Sequence, residues 1–283
     1  MSFRYRMLLP LVALFLAVVG YPLVNSFYLS LTDYKITDRA NLSVVGGRQY
    51  VDALTDQGFW GAFGNTAVFV LVAVTVELVV GLALALALQR QRRLRNLTRG
   101  LLLAPMFVTP IAVGLLFRFL LNSQLGVVPA VLGSLGVSYD FFGSGKALLT
   151  IALIDAWQWT PFMVLLLLAG LESLPSAPFE AARVDGASAW YTFRRVTLPM
   201  LRPVVAVAVL IRGLDALKVF EYVYATTRGG PGTETQTLQY YVYQTGIQFF
   251  RMGEASAMGY LVLAVVLVAV IVLFLRIDRQ RAA

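Results

Sequence analysis

Seven ionisable side chains stand inside otherwise apolar stretches of this chain: Glu77, Arg118, Asp155, Arg212, Asp215, Lys218 and Glu221. A charge in hydrocarbon surroundings is costly, so such residues turn toward protein or water and mark polar passages. Arg212, Asp215, Lys218 and Glu221 recur at i, i+3, i+6 and i+9 with alternating sign, which on a helix is one slowly drifting stripe. That stripe cannot face lipid. It can pair with itself or with a neighbouring protein, or offer donors and acceptors to a hydroxyl-rich solute. Asp155 and Trp159 lie one turn apart, and an aromatic ring beside a polar group suits a solute with both apolar faces and hydroxyls. Trp157, Thr160 and Tyr222 complete the candidate set. Glu77 reads as a neutral, hydrogen-bonded structural carboxyl and not as a substrate ligand. Arg118 and Asp155 fall at similar depth, which predicts an ion pair between them.

The elements that must position these groups are membrane helices. The chain is 59% hydrophobic and 13% charged, against about half and a quarter in soluble domains. Apolar runs of about 20 residues cross a hydrocarbon core, and the sequence predicts them at 7–31, 62–88, 101–121, 148–171, 203–226 and 256–275. The first run is too long for a signal-peptide core and no A-x-A-like site follows it, so it is expected to stay as an anchor. With no cysteine and no histidine, a disulfide framework, a Cys-based metal site and a His-based proton relay are excluded.

Basic residues set the orientation. The N-terminus (Arg4, Arg6), the 89–100 loop (Arg90, Arg92, Arg93, Arg95, Arg99), the 172–202 loop (Arg183, Arg194, Arg195, Arg202) and the C-terminus (Arg276, Arg279, Arg281) carry fourteen. The opposite loops carry six, namely Lys35, Arg39, Arg48, Lys146, Arg228 and Arg251. By the positive-inside rule the richer side, with both termini, faces the cytoplasm. The formal charge of +8 is thereby a topology signal and not a nucleic-acid patch.

Between the fourth and fifth predicted spans runs Glu180-Ala-Ala-Arg-Val-Asp-Gly-Ala-Ser-Ala-Trp-Tyr-Thr-Phe-Arg-Arg-Val-Thr-Leu-Pro199. Pro175 and Pro178 stop the preceding helix from continuing smoothly, and Phe179 to Val184 form a short amphipathic helix. Gly186 can end it in a left-handed conformation. Ser188 caps a second short helix to about Val196, and Pro199 with Pro203 restarts the chain as the next span. The expected product is a helix-turn-helix lying flat at the cytoplasmic membrane face.

This spacing resembles the EAA loop of permeases in binding-protein-dependent ABC importers. Glu180, Ala181, Ala182, Gly186, Leu198 and Pro199 match that pattern, with Val196 where Ile is usual. Tyr21-Pro22, Asn65-Thr66 and Gly81-Leu-Ala-Leu-Ala85 resemble carbohydrate-type permeases, and Trp157-Gln-Trp-Thr-Pro-Phe162, Asp185-Gly-Ala187 and Gly229-Gly-Pro-Gly232 look like the maltose, trehalose and glycerol-phosphate group among them. The resemblance implies an all-α membrane protein of six transmembrane helices, the type I importer permease fold (MetI-like core) with a cytoplasmic coupling helix. It implies residues 1–61 as the first helix and outer loop, 62–275 as a five-helix core holding the loop at about 172–202, and 276–283 as a cytoplasmic tail. The site implied for coupling to an ATPase is Glu180, Ala181, Ala182, Asp185, Gly186, Leu198 and Pro199, with Ala181, Ala182 and Gly186 as a small-residue face.

The partners implied are a second homologous permease, two ATPase subunits that hold the ATP and Mg, an extracytoplasmic binding protein and the lipid bilayer of a bacterial or archaeal cytoplasmic membrane. The substrate implied is a sugar or related polyol, and this chain is expected to hold no cofactor and to catalyse nothing. An ion-coupled secondary transporter or channel, using Glu77, Asp155 and Arg118, is the alternative; the loop spacing and the lack of an evident inverted repeat stand against it. Two motifs mislead. Gly143-Ser-Gly-Lys146 lacks the Gly and the Ser or Thr that a phosphate loop needs at Asp140 and Ala147. Asn41-Leu-Ser43 is a sequon with nothing around it to suggest a secretory setting. The 227–255 loop, rich in Gly and Tyr, reads as an interfacial segment, partly re-entrant or surface-lying.

Overall fold

The computed structural model describes residues 3–38, 42–91 and 95–282. Arg39, Asn41, Arg92 and Arg93 fall outside them. In chain order the helices begin with α1 (Phe3–Phe15) and α2 (Tyr21–Ser30), joined by a π-helical turn, Leu16–Gly20. The turn directly precedes Pro22, whose missing N–H the ladder must absorb. Next come α3 (Arg48–Thr55) and α4 (Gln57–Arg90). At 34 residues, α4 is roughly 50 Å long and outreaches a hydrocarbon core of about 30 Å.

The third predicted span, 101–121, is broken. Helix α5 (Arg95–Leu103) runs into a 3-10 turn at Ala104–Phe107, and α6 (Pro110–Leu120) leaves it after a bend of 91°. Two prolines explain the break: Pro105 lies in the tight turn, and Pro110 forces Thr109 into extended backbone before fixing the first turn of α6. Then follow α7 (Val127–Ser134), α8 (Ala147–Glu172), α9 (Ala177–Val184), α10 (Ala189–Thr192) and α11 (Leu198–Ala216). Helices α12 (Glu221–Ala225), α13 (Leu238–Tyr243) and α14 (Met252–Ala282) complete the chain.

Among the described residues four helical stretches, Met7–Ser30, Gln57–Arg90, Ala147–Glu172 and Ala189–Ala216, are long and apolar enough to cross a membrane, and the bent pair makes a fifth where it is counted as one span. The sixth predicted span lies within α14. The predicted fifth span, 203–226, is corrected at both ends. Helix α10, a π-turn at Phe193–Thr197 and α11 form one 28-residue helix. Pro199 therefore does not restart the chain: the Leu198 N–H reaches back to the Phe193 carbonyl, and the wider turn accommodates the proline. At its far end α11 stops at Ala216, so Lys218 and Glu221 lie past it in a turn and at the head of α12.

The chain forms two compact units, Met1–Gly61 with Leu238–Val268, and Ala62–Thr237 with Ala269–Ala283. In the first, the Gly253 amide donates to the Tyr34 carbonyl at 3.0 Å, the Tyr241 hydroxyl bonds Asp56, and Phe27 meets Tyr260 edge to face. In the second, α4, α8 and α11 close a core around Ala85, Met163, Leu167, Leu171, Leu201 and Ala208. Gly170 lets α8 approach α11 closely: a Cβ there would lie 2.7 Å from Val204 Cγ1, well inside van der Waals contact.

Candidate functional site

Arg212, in the penultimate turn of α11, is 1% exposed and gathers three carboxylates. Its Nε lies 3.0 Å from Oε1 of Glu77 on α4, Nη1 lies 2.9 Å from Oδ2 of Asp215, and Nη2 bonds Asp155 on α8. The guanidinium carbon also sits 5.2 Å from the centroid of the Trp159 ring, a cation–π arrangement. Burying such a group is tolerable when charge-assisted bonds offset its desolvation, and here each nitrogen makes one. Glu77 is buried and hydrogen-bonded, and its partner is Arg212.

A chain of neutral bonds continues from the cluster. The Trp159 indole donates to the Tyr222 hydroxyl at 3.1 Å, Tyr222 donates to Gln158 Oε1 at 2.7 Å, and Gln158 Nε2 donates to the Val108 carbonyl at 2.6 Å. The chain locks α8, α12 and the bend before α6 together. Beside it opens a cavity of about 270 Å³ lined by Pro110, Asp155, Trp159, Arg212, Asp215, Lys218, Glu221 and Tyr222, among others. Seven of the nine sequence-predicted passage residues therefore meet at one cavity. Lys218 and Glu221 do so from beyond the helix, not along a continuous stripe. The turn that carries them is held by the Thr237 hydroxyl, which donates to the Val219 carbonyl at 3.0 Å.

Two candidates lie elsewhere. Trp157 points away, 45% exposed and edge-on to Phe117. Thr160 is buried and returns its hydroxyl to the Ala156 carbonyl at 2.6 Å. The predicted Arg118–Asp155 pair does not form. Arg118 Nη1 donates instead to the Ala225 carbonyl at 3.3 Å, while Asp155 is taken by Arg212. Sequence reasoning missed Gln158; the signal was an amide between two tryptophans in an apolar helix, overlooked because it does not ionise.

At the other end of the long α10–α11 helix stands the elbow. Helix α9 closes with the Ala187 amide on the Ala182 carbonyl (2.9 Å) and the Gly186 amide on the Arg183 carbonyl (3.1 Å). These are the two bonds of a Schellman motif, with Gly186 at φ +68° as the left-handed residue. Ser188 then caps α10, its hydroxyl oxygen accepting from the Tyr191 amide at 3.2 Å. Both local expectations hold. The predicted small-residue face needs correction: Ala181 and Gly186 are open, but Ala182 is covered by its own chain. The open face presents Glu180, Ala181, Asp185 and Gly186 with Val184 and Trp190, which are 88% and 68% exposed. Leu198 and Pro199 belong to the long helix and are half-buried.

The misleading glycine turn at Gly143–Lys146 binds an anion of its own. Glu234 accepts from the Ser144 hydroxyl and from the Gly145 amide, the latter at 2.7 Å. Those two donors hold the exposed Glu234 carboxyl below the usual carboxylate range, the Ser144 hydroxyl contributing most.

With this geometry in hand, known proteins give a consistent match. The family model described as "Binding-protein-dependent transport system inner membrane component" matches residues 77–281. The trehalose/maltose transport system permease protein MalF of Thermococcus litoralis is 35% identical over 282 residues, covering 98% of this chain and 94% of its own. The sulfoquinovosyl glycerol transport system permease protein SmoG of Agrobacterium fabrum is 33% identical, with 97% and 90% covered. Among solved structures, a bacterial ABC transporter involved in import of the acidic polysaccharide alginate superposes with TM-score 0.83 at 26% identity, covering 97% of this chain and 94% of that one. The same kind of transporter, in complex with an alginate pentasaccharide-bound periplasmic protein, superposes with TM-score 0.81 at 25% identity.

Proposed function

From the premise that this chain belongs to the binding-protein-dependent transport system inner membrane components, ABC importer permeases that span the membrane several times, we propose that it forms half of a sugar passage driven through the α9–α10 elbow. A second permease supplies the other half. An extracytoplasmic binding protein delivers a di- or oligosaccharide or related polyol, and two ATPase subunits hydrolyse ATP on their own polypeptides. Both termini and the elbow face the cytoplasm, in keeping with the basic loops. Membership of the family leaves no ground for the ion-coupled alternative.

The observation that carries this reading is the continuity of one helix, Ala189–Ala216. Trp190 at its elbow end and Arg212 at its cavity end are 22 residues apart, roughly 33 Å along the helix. A push on the elbow therefore arrives at the cavity wall through one continuous helix, whose π-turn at Phe193–Thr197 and Pro203 are the places where it can bend. The exposed Val184 and Trp190 suit an apolar cleft on the ATPase, and an exposed aromatic is a characteristic anchor of such contacts. Trp159 and Tyr222 beside carboxylates suit the mixed surface of a sugar ring.

The test is a reconstituted complex in proteoliposomes, assayed for uptake and for ATP hydrolysis stimulated by a loaded binding protein. Gly186→Arg and Glu180→Arg should abolish uptake and stimulated hydrolysis while membrane insertion persists. Normal uptake by both would refute docking at the elbow.

A further inference from the structure

Resting on the proposal that the cavity beside Arg212 is part of the sugar path, we infer that it discriminates by charge: it takes uncharged or amine-bearing polyols and rejects acidic ones. Arg212 looks at first like a receptor for an acidic sugar, because a buried guanidinium is the usual partner of a carboxylate. Here three of its five N–H donors, one on each nitrogen, are already taken. Nε, Nη1 and Nη2 are each engaged by a carboxylate, and Trp159 covers the guanidinium. An incoming anion would reach the guanidinium only beside Asp155 and Asp215, whose charges already offset it.

The lining itself leans the same way. Asp155, Asp215 and Glu221 face Arg212 and Lys218, three carboxyl groups against two cations. Asp215 is half exposed, so its remaining acceptor capacity points at the cavity. Hydroxyls and amines donate to such oxygens, whereas a carboxylate cannot. Like-charge juxtaposition in a partly desolvated site is among the stronger forms of rejection. Lys218 is the lining cation that makes no ion pair among the described residues, and its role is to moderate this field, not to reverse it.

Saturation-transfer NMR on the purified permease–ATPase complex tests the inference with the binding protein omitted, so that its selectivity plays no part. The probes are trehalose and the uronic acid made by oxidising one of its primary alcohols, each at millimolar concentration. Wild type should favour trehalose by about tenfold. Asp215→Asn should narrow that ratio several-fold, and Lys218→Met should widen it, each variant being checked for intact assembly by copurification with its ATPase. An acid that binds as well as trehalose, or a ratio that neither substitution moves, overturns the charge rule alone. If neither probe binds, the cavity is no substrate site and the inference falls with it, while uptake with binding protein present still decides whether the chain carries sugars.

Discussion

Glu77 and Arg212 are 135 residues apart in sequence, yet their side chains lie in direct contact with Nε 3.0 Å from Oε1 and are 0% and 1% exposed. The contact ties the middle of α4 to the last turns of α11, with Asp155 bringing in α8. These are the same three helices that share the apolar core.

Removing the cation should therefore do more harm than removing the whole cluster. Arg212→Met leaves Glu77 and Asp155 as buried carboxylates without a counter-ion, a loss of about 3–5 kcal/mol. Replacing all three, with Arg212→Met, Glu77→Leu and Asp155→Leu, should recover most of that, because shape-matched apolar groups need no desolvation. Thermal unfolding in detergent reads both. A triple variant no more stable than the single one would count against a buried ionic cluster as the cause.

Double-mutant cycles separate the observed pairing from the one depth alone suggests. Asp155→Ala and Arg212→Ala should show a coupling energy of about 0.5–3 kcal/mol, whereas Asp155→Ala and Arg118→Ala should add within about 0.5 kcal/mol. Strong coupling in the second cycle would place Arg118 back at Asp155.

What the sequence conveyed and what it withheld divide along the range of the interactions involved. The Gly186 turn and the Ser188 cap were readable because each is decided within about five residues. That Arg212 needs partners was equally readable, and Asp215 one turn on was among those the stripe offered, but Glu77 and Asp155 were not, because only the packing of α4, α8 and α11 brings them to it. Pro105 and Pro110 carried the bend of the third span, but the apolar run masked it. The end of α11 had no such mark, since Leu217-Lys-Val-Phe220 contains neither glycine nor proline, and the Thr237 hydroxyl that holds the turn comes from a later loop.

The elbow predicts its own hierarchy of substitutions. At φ +68° a non-glycine residue pays about 1 kcal/mol, and asparagine bears the left-handed region better than alanine. Uptake per ATP hydrolysed should fall in the order Gly186, Gly186→Asn, Gly186→Ala. Nothing stands within 4 Å of a Cβ at this position in the chain itself, so the backbone and not crowding sets the order. Equal coupling in the asparagine and alanine variants would show that the left-handed turn is dispensable.

The Glu234 clasp should be sensitive to acid in a definite direction. Its carboxyl is held low by the Ser144 hydroxyl and the Gly145 amide, so the clasp's stabilisation is fully present above the ordinary glutamate pKa of about 4.3. It is lost only as pH falls through the lower, folded value, when the proton displaces one of the two bonds. Amide exchange at Gly145, corrected for the intrinsic rate at each pH, reads this directly. Protection should persist from neutrality down to the ordinary carboxylate range and collapse below it. Glu234→Gln should lack the charge-assisted bonds at every pH and exchange faster even at neutrality. If Gly145 is equally protected in the two proteins at neutral pH, the carboxylate is not what fills the glycine turn.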